Sequence, residues 1–332
     1  MSISDDLGIY IGSATAYGCI RKRGIVFCEP ALVAVEPETG KILNAGFEAE
    51  EVLKHAKIHS RGIYPLADGR LTDYPTFERL VRHVIKRICG TRTFKPRVAL
   101  CLPDGFTNVE RRAAEEAVLS AGGRSVAIVS KMLAAGYGVG VKPDDAQGKM
   151  IIHLGGGCTA YAFLASGNVI LSETSNLSQN NINSMIYDYI RDKYDMIISG
   201  ETAESIKNNL GCFYPRDFNL KMNITGKHVT DGTPAYLTVD SNEIYGVMQP
   251  AADEFLQMLA KVLKKIPAHF LKAIAKDGVV LTGGGSLLYG IEKLIFKNFS
   301  LPAVLDKNAE RSVADGFCLM LYSGKLFKQS ER

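Results

Sequence analysis

Short apolar runs and longer amphipathic stretches alternate along most of the chain. The runs "RVALCLP" (97–103) and "SVAIVS" (125–130) are bounded by turn residues, which predicts buried strands. Residues 107–123 predict a helix, because a threonine or asparagine can cap its start and two glycines end it. The small residues of 131–140 predict another helix. Strands that alternate with helices in this way predict an α/β fold.

The second half of the chain shows a related pattern. Residues 243–266 predict a long helix that is interrupted near Pro250. Residues 278–295 predict a strand, three glycines and a helix in direct succession. A helix that starts at such a turn presents free N–H groups and the positive end of its dipole, which suit an anion or a nucleotide.

Two short segments match each other. "IYIGSATAY" (9–17) and "IHLGGGCTAY" (152–161) share an apolar strand, a glycine turn and the residues Thr-Ala-Tyr, and a further apolar run follows each of them. Each therefore predicts a hairpin with the glycine turn at its tip. A single glycine turn is usually only a tight connection. Because these two turns open the two halves of the chain and a third follows the strand near 280, we predict a duplicated domain with a nucleotide cleft between two lobes.

Two polar segments, 33–65 and 181–243, predict small subdomains inserted into the lobes. The second segment has helical patterns at 181–194 and 200–211 and strand patterns at 219–229 and 234–240.

Composition and charge exclude several classes of protein. The chain has 332 residues, which is enough for two or more cores. Its net charge of +4 lacks the basic footprint of a nucleic-acid-binding protein, so we expect no nucleic-acid partner. It has no apolar stretch of membrane-spanning length and no signal-peptide pattern, so we expect a cytoplasmic protein. The seven cysteines form no CxxC pair, which favours reduced thiols over zinc ligands.

The sequence resembles the MreB family of bacterial actins over nearly its whole length. The resemblance is carried by "GIVFCEPALVAV" (24–35), "YPLADGRLTDY" (64–74), "FKPRVALCLP" (94–103), "VERRAAEEAVLSAGGRSVAIV" (109–129), "AAGYGVG" (134–140), "GETAESIKNNLG" (200–211), "VDSNEIYGVMQP" (239–250), "VVLTGGGSLLYGIEKLI" (279–295) and "LPAVLDKNAERSVADG" (301–316).

The resemblance implies an actin-like ATPase fold, with two ribonuclease-H-like lobes that each carry a small subdomain. The implied divisions are subdomain IA (1–32, 66–141 and 318–332), IB (33–65), IIA (142–180 and 244–317) and IIB (181–243). It also implies self-association into protofilaments, or copolymerisation with MreB-type filaments, that serve cell shape or intracellular organisation at the inner face of the cell membrane.

The departures from the family pattern are concentrated in the phosphate half of the implied site. Most of the family's acids are replaced there by neutral or basic residues. Tyr10 and His153 replace the aspartates of the two phosphate turns, and Ser130 and Lys131 replace the glutamate pair, with Met132 for the following proline. Cys158, Thr159 and Ala160 replace the threonines and glutamate of the second turn, and Ser178, Gln179 and Asn180 replace Gly-Gly-Asp.

The other implied contacts to ATP or ADP are retained. They are Gly12, Ser13, Ala14, Gly155, Gly156 and Gly157 in the phosphate turns, Glu204 and Lys207 on the purine-contacting helix, and Gly283, Gly284, Gly285 and Ser286 in the adenosine turn.

The substitutions remove what phosphoryl transfer needs. Mg²⁺ prefers oxygen ligands, and Tyr10 and His153 replace carboxylates, so we expect no metal site and a weak or absent dependence on magnesium. A protonated Lys131 has only donors and cannot orient an attacking water. We therefore expect no catalytic residues and negligible ATP hydrolysis.

Two interpretations of the phosphate site remain open. In one, Lys131 and a protonated His153 replace the metal charge and nucleotide binds without magnesium. In the other, Tyr10 fills the space, His153 forms a local hydrogen bond, and the cleft is empty or occluded. Cys158 could be a nucleophile, but a buried thiol in place of threonine is favoured.

A membrane contact is predicted at the loop of Arg92, Phe94 and Lys95, where one aromatic ring lies within a basic collar that suits an anionic leaflet. The alternative is a solvated loop whose Phe94 packs inward.

Three classes of function are compatible with these patterns. A hydrolysis-deficient filament protein is the leading one, and its filaments would be static because hydrolysis sets no timer. The alternatives are an active ATPase filament with rearranged catalytic groups and a non-polymerising scaffold. The short insertions argue against an actin-fold sugar kinase, and the lack of a peptide-binding domain argues against a chaperone.

Overall fold

The computed structural model of the chain describes residues 6–54, 59–90, 95–324 and 326–327. The strands are β1 Leu7–Ile11, β2 Thr15–Ile20, β3 Gly24–Pro30, β4 Val33–Val35, β5 Ile42–Ala45, β6 Arg61–Ile63, β7 Leu66–Ala67, β8 Arg70–Leu71, β9 Arg97–Leu102, β10 Ser125–Ser130, β11 Lys149–Leu154, β12 Thr159–Ala165, β13 Asn168–Ser175, β14 Met196–Ile197, β15 Lys221–His228, β16 Pro234–Asp240, β17 Val279–Thr282 and β18 Ala303–Leu305. The helices are α1 Phe47–Lys54, α2 Tyr74–Cys89, α3 Asn108–Ser120, α4 Lys131–Gly138, α5 Gln179–Tyr194, α6 Gly200–Leu210, α7 Ser241–Lys265, α8 Ala268–Asp277, α9 Ile291–Phe299 and α10 Ser312–Ser323.

Two five-stranded sheets share one plan. Their strand orders are β10-β9-β1-β2-β3 and β13-β12-β11-β17-β18. In each sheet, an antiparallel three-stranded meander is extended on one side by two parallel strands. The repeated order is that of a duplicated lobe, and the glycine turns join β1 to β2 and β11 to β12.

The start of α3 shows how local sequence sets an element boundary. The Thr107 hydroxyl accepts a hydrogen bond from the Glu110 N–H, and the Glu110 carboxylate accepts one from the Thr107 N–H at 2.7 Å. This reciprocal capping satisfies two N–H groups that the first turn leaves free. The predicted helix over 107–123 is confirmed within its caps.

The predicted interruption of α7 near Pro250 is wrong. The helix is continuous over 25 residues and contains the proline. It buries an apolar stripe that includes Ile244, Met248, Phe255 and Leu259 against the second lobe. We attribute the continuity to this burial, which offsets the hydrogen bond that proline removes.

The predicted direct join of strand, glycines and helix at 278–295 is also wrong. A 3₁₀ turn follows Gly283, and α9 begins only at Ile291. The Ser286 N–H donates to the Gly283 carbonyl at 3.0 Å, and the Leu288 N–H donates to the Gly285 carbonyl at 3.2 Å. These N–H groups are therefore used within the turn and are not free for an anion.

Two small sheets accompany the lobes, β5-β4-β6 with α1 and β14-β15-β16 with α5 and α6. The subdomain divisions given above remain a prediction. The divisions at 180/181, 243/244 and 317/318 fall within α5, α7 and α10. Within the described ranges, no helix has the length and apolar character needed to cross a membrane.

A separate core joins the lobes. It combines residues of β1 and β9 with residues of β11 and β12, and α4 and α10 pack within it. The two helices approach so closely that a Cβ on Gly316 would overlap the Ala134 carbonyl, and one on Gly138 would overlap the Ser312 carbonyl. This helix pair therefore packs tightly within the core that joins the lobes.

Candidate functional site

A cavity of about 590 Å³ lies between the two lobes. Most of the residues predicted from the sequence line it: Tyr10, Gly12, Ser13, Ala14, Lys131, His153, Gly155, Gly156, Gly157, Glu204, Gly283 and Gly284. Cys158, Lys207, Gly285 and Ser286 do not. Gln179 and Asn180, which the resemblance placed in the phosphate half in the positions of Gly-Gly-Asp, also line it. Residues that the site prediction missed line it as well: Thr15, Tyr17, Asn208, Leu287, Leu288 and Glu310.

The two glycine turns lie against each other at this cavity. The Gly12 N–H donates to the Thr15 carbonyl at 2.9 Å, and the Gly155 N–H donates to the Cys158 carbonyl at 3.0 Å. A Cβ on Gly157 would lie 2.8 Å from the Ser13 Cβ, so only glycine lets the two turns approach this closely. The turns therefore bring two stretches of backbone to one wall of the cavity.

Tyr10 occupies the first turn as a neutral phenol. Its ring is buried and stacks on Tyr17 with centroids 6.0 Å apart. Burial raises the pKa of Tyr10 above its ordinary value, and the thiols of Cys101 and Cys158 raise it further. The phenol oxygen is therefore not an anionic metal ligand near pH 7.

His153 occupies the second turn and is also neutral. It is buried, and its Nδ1 lies 2.9 Å from the Thr282 hydroxyl. Burial lowers the pKa of His153 well below 6.5, and the charge of Lys131 lowers it further. The hypothesis of a protonated His153 is therefore wrong, because a buried imidazole beside an ammonium resists a second charge.

The buried imidazole predicts a specific loss of stability in acid. Because the folded-state pKa of His153 is depressed, the unfolded chain binds the extra proton first, and stability falls as the pH drops below about 6.5. We expect His153 to account for a loss of about 1.4 kcal/mol between pH 7.5 and 5.5. Urea unfolding of His153→Asn should lack this component, whereas the exposed-site variant His228→Asn should keep it. Equal pH profiles for all three proteins would contradict the prediction.

Lys131 begins α4 and lines the phosphate half of the cavity. Ser130 caps this helix, since its hydroxyl accepts from the Leu133 N–H at 3.0 Å. The Asp104 carboxylate accepts from the Ser130 hydroxyl and, at 3.0 Å, from the Met132 N–H. Lys131 is only 7% exposed, and its side chain forms no hydrogen bond or ion pair with the described residues.

Other parts of the cavity wall are polar or acidic. Glu204 and Asn208 reach it from α6. A Cβ on Gly284 would lie 3.0 Å from the Gln179 amide nitrogen and 3.6 Å from a Glu310 carboxylate oxygen, which places both groups at the triple-glycine turn. The wall thus combines the cation of Lys131 with the carboxylates of Glu204 and Glu310.

Lys207 does not line the cavity, and it is fully buried behind Glu204. Its Nζ lies 3.8 Å from the Glu204 carboxylate and has no hydrogen bond within the described part of the chain. Burial lowers the pKa of Lys207, and Glu204 opposes that shift. Lys207 therefore pairs with Glu204 and does not itself line the cavity.

The chain is similar to known proteins over almost its whole length. The family model described as "MreB/Mbl protein" matches residues 4–329. The chain belongs to the MreB/Mbl family. The cell shape-determining protein Mbl of Bacillus cereus is 32% identical over 317 residues, which covers 95% of each chain. The cell shape-determining protein MreB of Escherichia coli K12 is 30% identical over 319 residues, covering 94% of this chain and 92% of MreB.

Solved structures agree with this assignment. MreB5 of Spiroplasma citri bound to ADP has a TM-score of 0.87 and 26% identity, covering 99% of this chain and 97% of its own. The MamK double helical filament structure has a TM-score of 0.79 and 15% identity, covers 96% and 98% of the two chains, and shows the fold alone. The predicted actin-like α/β fold and MreB relationship are confirmed.

The MreB/Mbl fold family implies a magnesium ion with the nucleotide, but the donors in this cleft do not fit one. Among the residues that the structure describes, no group of three His, Cys, Asp or Glu could hold a metal. The phosphate half offers a phenol, an imidazole and an ammonium from Tyr10, His153 and Lys131. Mg²⁺ favours carboxylate and water oxygens and is repelled by an ammonium.

Proposed function

We propose that this chain is an MreB-like cytoskeletal protein that forms or joins actin-like protofilaments in cell shape or intracellular organisation. The support is its family and the relatives named above, of which Mbl and MreB are cell shape-determining proteins and MamK forms a double helical filament. The proposed partners are other copies of this chain, through self-association, or MreB-type filaments, through copolymerisation.

The cleft is proposed to bind ATP or ADP. MreB5 of Spiroplasma citri, which has the same fold, is bound to ADP in one structure and to AMPPNP in another. The cavity in this chain is lined by both glycine turns and is large enough for a ligand of this class. The carboxylates of Glu204 and Glu310 in its wall can accept hydrogen bonds from hydroxyl or amino groups of a nucleoside.

Hydrolysis is proposed to be lost, and one observation carries this proposal. The phosphate half holds neutral Tyr10, neutral His153 and Lys131 in place of metal-binding and water-orienting acids. Without those acids, neither a magnesium ion nor an attacking water is positioned beside the terminal phosphate. Magnesium dependence should accordingly be weak or absent.

The proposed location is the cytoplasm, with peripheral contact at the inner face of the cell membrane. Lys95 of the predicted membrane loop is exposed, whereas Arg92 and Phe94 lie outside the described residues. The membrane contact therefore stays a prediction.

The proposed function predicts static filaments. Purified protein with ATP should form polymer visible by negative-stain electron microscopy, while phosphate release stays at the buffer background. The triple variant Tyr10→Asp, Lys131→Glu, His153→Asp, which restores the acids of the family pattern, serves as the comparison for release. Brisk release by the unmodified chain would favour an active ATPase with rearranged groups. Absence of polymer under all nucleotide conditions would favour a scaffold that does not polymerise.

A further inference from the structure

We infer that Lys131 binds the terminal phosphate of the nucleotide and that the chain takes up metal-free nucleotide, so that magnesium competes with binding. This rests on the proposed nucleotide binding. It extends that proposal by naming the ligand group, the residue that holds it, and the form of nucleotide that is selected.

The described residues leave Lys131 without an ion pair. Only 7% of the residue is exposed, and no hydrogen bond or ion pair joins its side chain to the described residues. Its ammonium nitrogen is not fully enclosed by protein, because Lys131 lines the cavity. A ligand in the cavity can therefore supply an anion that pairs with the ammonium.

Two groups that interact with the charge of Lys131 do not compensate it. These are the imidazole of His153 and the thiol of Cys101, and both are neutral. The carboxylate of Asp104 accepts hydrogen bonds from Ser130 and from the Met132 N–H, and no ion pair joins it to Lys131 within the described residues. An anion bound in the cavity would therefore be a direct partner for the ammonium.

The cavity wall near Lys131 can donate hydrogen bonds to phosphate. The N–H groups of Gly12 and Gly155 are used within their turns, but Ser13, Ala14, Gly156 and Gly157 also line the cavity, where their backbone N–H groups can meet phosphate oxygens. Lys131 also lies at the first turn of α4, the positive end of that helix. A terminal phosphate placed there meets a side-chain cation, whereas a magnesium complex would bring a second cation against the ammonium without carboxylates to hold it.

Isothermal titration calorimetry on the full chain tests the inference. ATP, ADP and adenosine are titrated in EDTA and in excess magnesium, with wild type, Lys131→Met, the conservative variant Lys131→Arg and the exposed-lysine control Lys142→Met. In EDTA, Lys131→Met should bind ATP about ten- to a hundredfold more weakly, because a charge-assisted hydrogen bond is lost, while its adenosine affinity is unchanged. Lys131→Arg and Lys142→Met should remain within a few-fold of wild type.

Magnesium supplies a second readout that needs no variant. Excess magnesium should weaken ATP binding to wild type several-fold and leave adenosine binding unchanged. The apo form of Lys131→Met should be about as resistant to urea as wild type, because the substitution removes no hydrogen bond or ion pair to the described residues.

The calorimetry distinguishes phosphate binding by Lys131 from nucleotide binding by the cleft. Equal ATP affinity of wild type and Lys131→Met, or tighter binding with magnesium, overturns the inference and leaves nucleotide binding standing. Lack of binding of ATP, ADP and adenosine to wild type overturns the proposed nucleotide binding itself. If Lys131→Met fails to fold, the magnesium titration of wild type decides.

Discussion

Replacing Gly316 with alanine should lower the free energy of unfolding by about 3 kcal/mol. A Cβ at this position on α10 would overlap the Ala134 carbonyl and the Gly138 N–H group, which belong to the backbone of α4. Backbone cannot rotate away as a side chain can, so the two helices would have to separate within the core that joins the lobes. Urea unfolding followed by circular dichroism at 222 nm measures the loss.

Gly246→Ala is the matched control. Gly246 lies on the exposed side of α7, and a Cβ there would meet no atom within 4 Å. The same substitution should raise stability by up to about 1 kcal/mol, because alanine favours a helix over glycine. Equal stability of Gly316→Ala and wild type would show that the close contact of α4 and α10 is not required.

Replacing Phe255 with alanine should lower the free energy of unfolding by about 3–5 kcal/mol. The ring is fully buried, with centroids 5.8 Å from Tyr161 and 6.1 Å from Phe213. Removing it leaves a cavity between α7 and β12, in the core of the second lobe. The same urea experiment measures the effect.

Phe218→Ala is the matched control, because it removes an exposed phenylalanine instead of a buried one. Phe218 is 64% exposed, so its removal should change stability by less than about 0.5 kcal/mol. A similar small change at Phe255 would mean that the second lobe collapses around the missing ring.

The close packing of α4 on α10 at Gly316 also helps to set the position of Lys131 in the cleft. Lys131 begins α4, and α4 packs on α10 near Gly316. A variant that separates these helices should therefore also displace Lys131 from the phosphate turns. Part of the site's geometry is set by a helix contact outside the cavity.

The sequence by itself determined the elements and the family. Local sequence is enough to predict several elements, because periodicity, caps and turn residues act over a few positions. These elements are the buried strands at 97–103 and 125–130, the capped start of α3 and the paired glycine hairpins. The replacement of acids at Tyr10, Lys131 and His153 was also visible from the sequence. These signals predicted an α/β fold with a nucleotide cleft, and the resemblance to the MreB family added the actin-like fold and most of the cavity wall.

Only the tertiary structure decided the charges and the exceptions. His153 is neutral because it is buried beside Lys131 and bonded to Thr282, which is 129 residues away in the chain. Glu310 joins the cleft from a loop with no local sign of a site. The continuity of α7 through Pro250 likewise depends on packing against the second lobe. Burial and partner charges arise from residues far apart in sequence, so local pattern does not contain them.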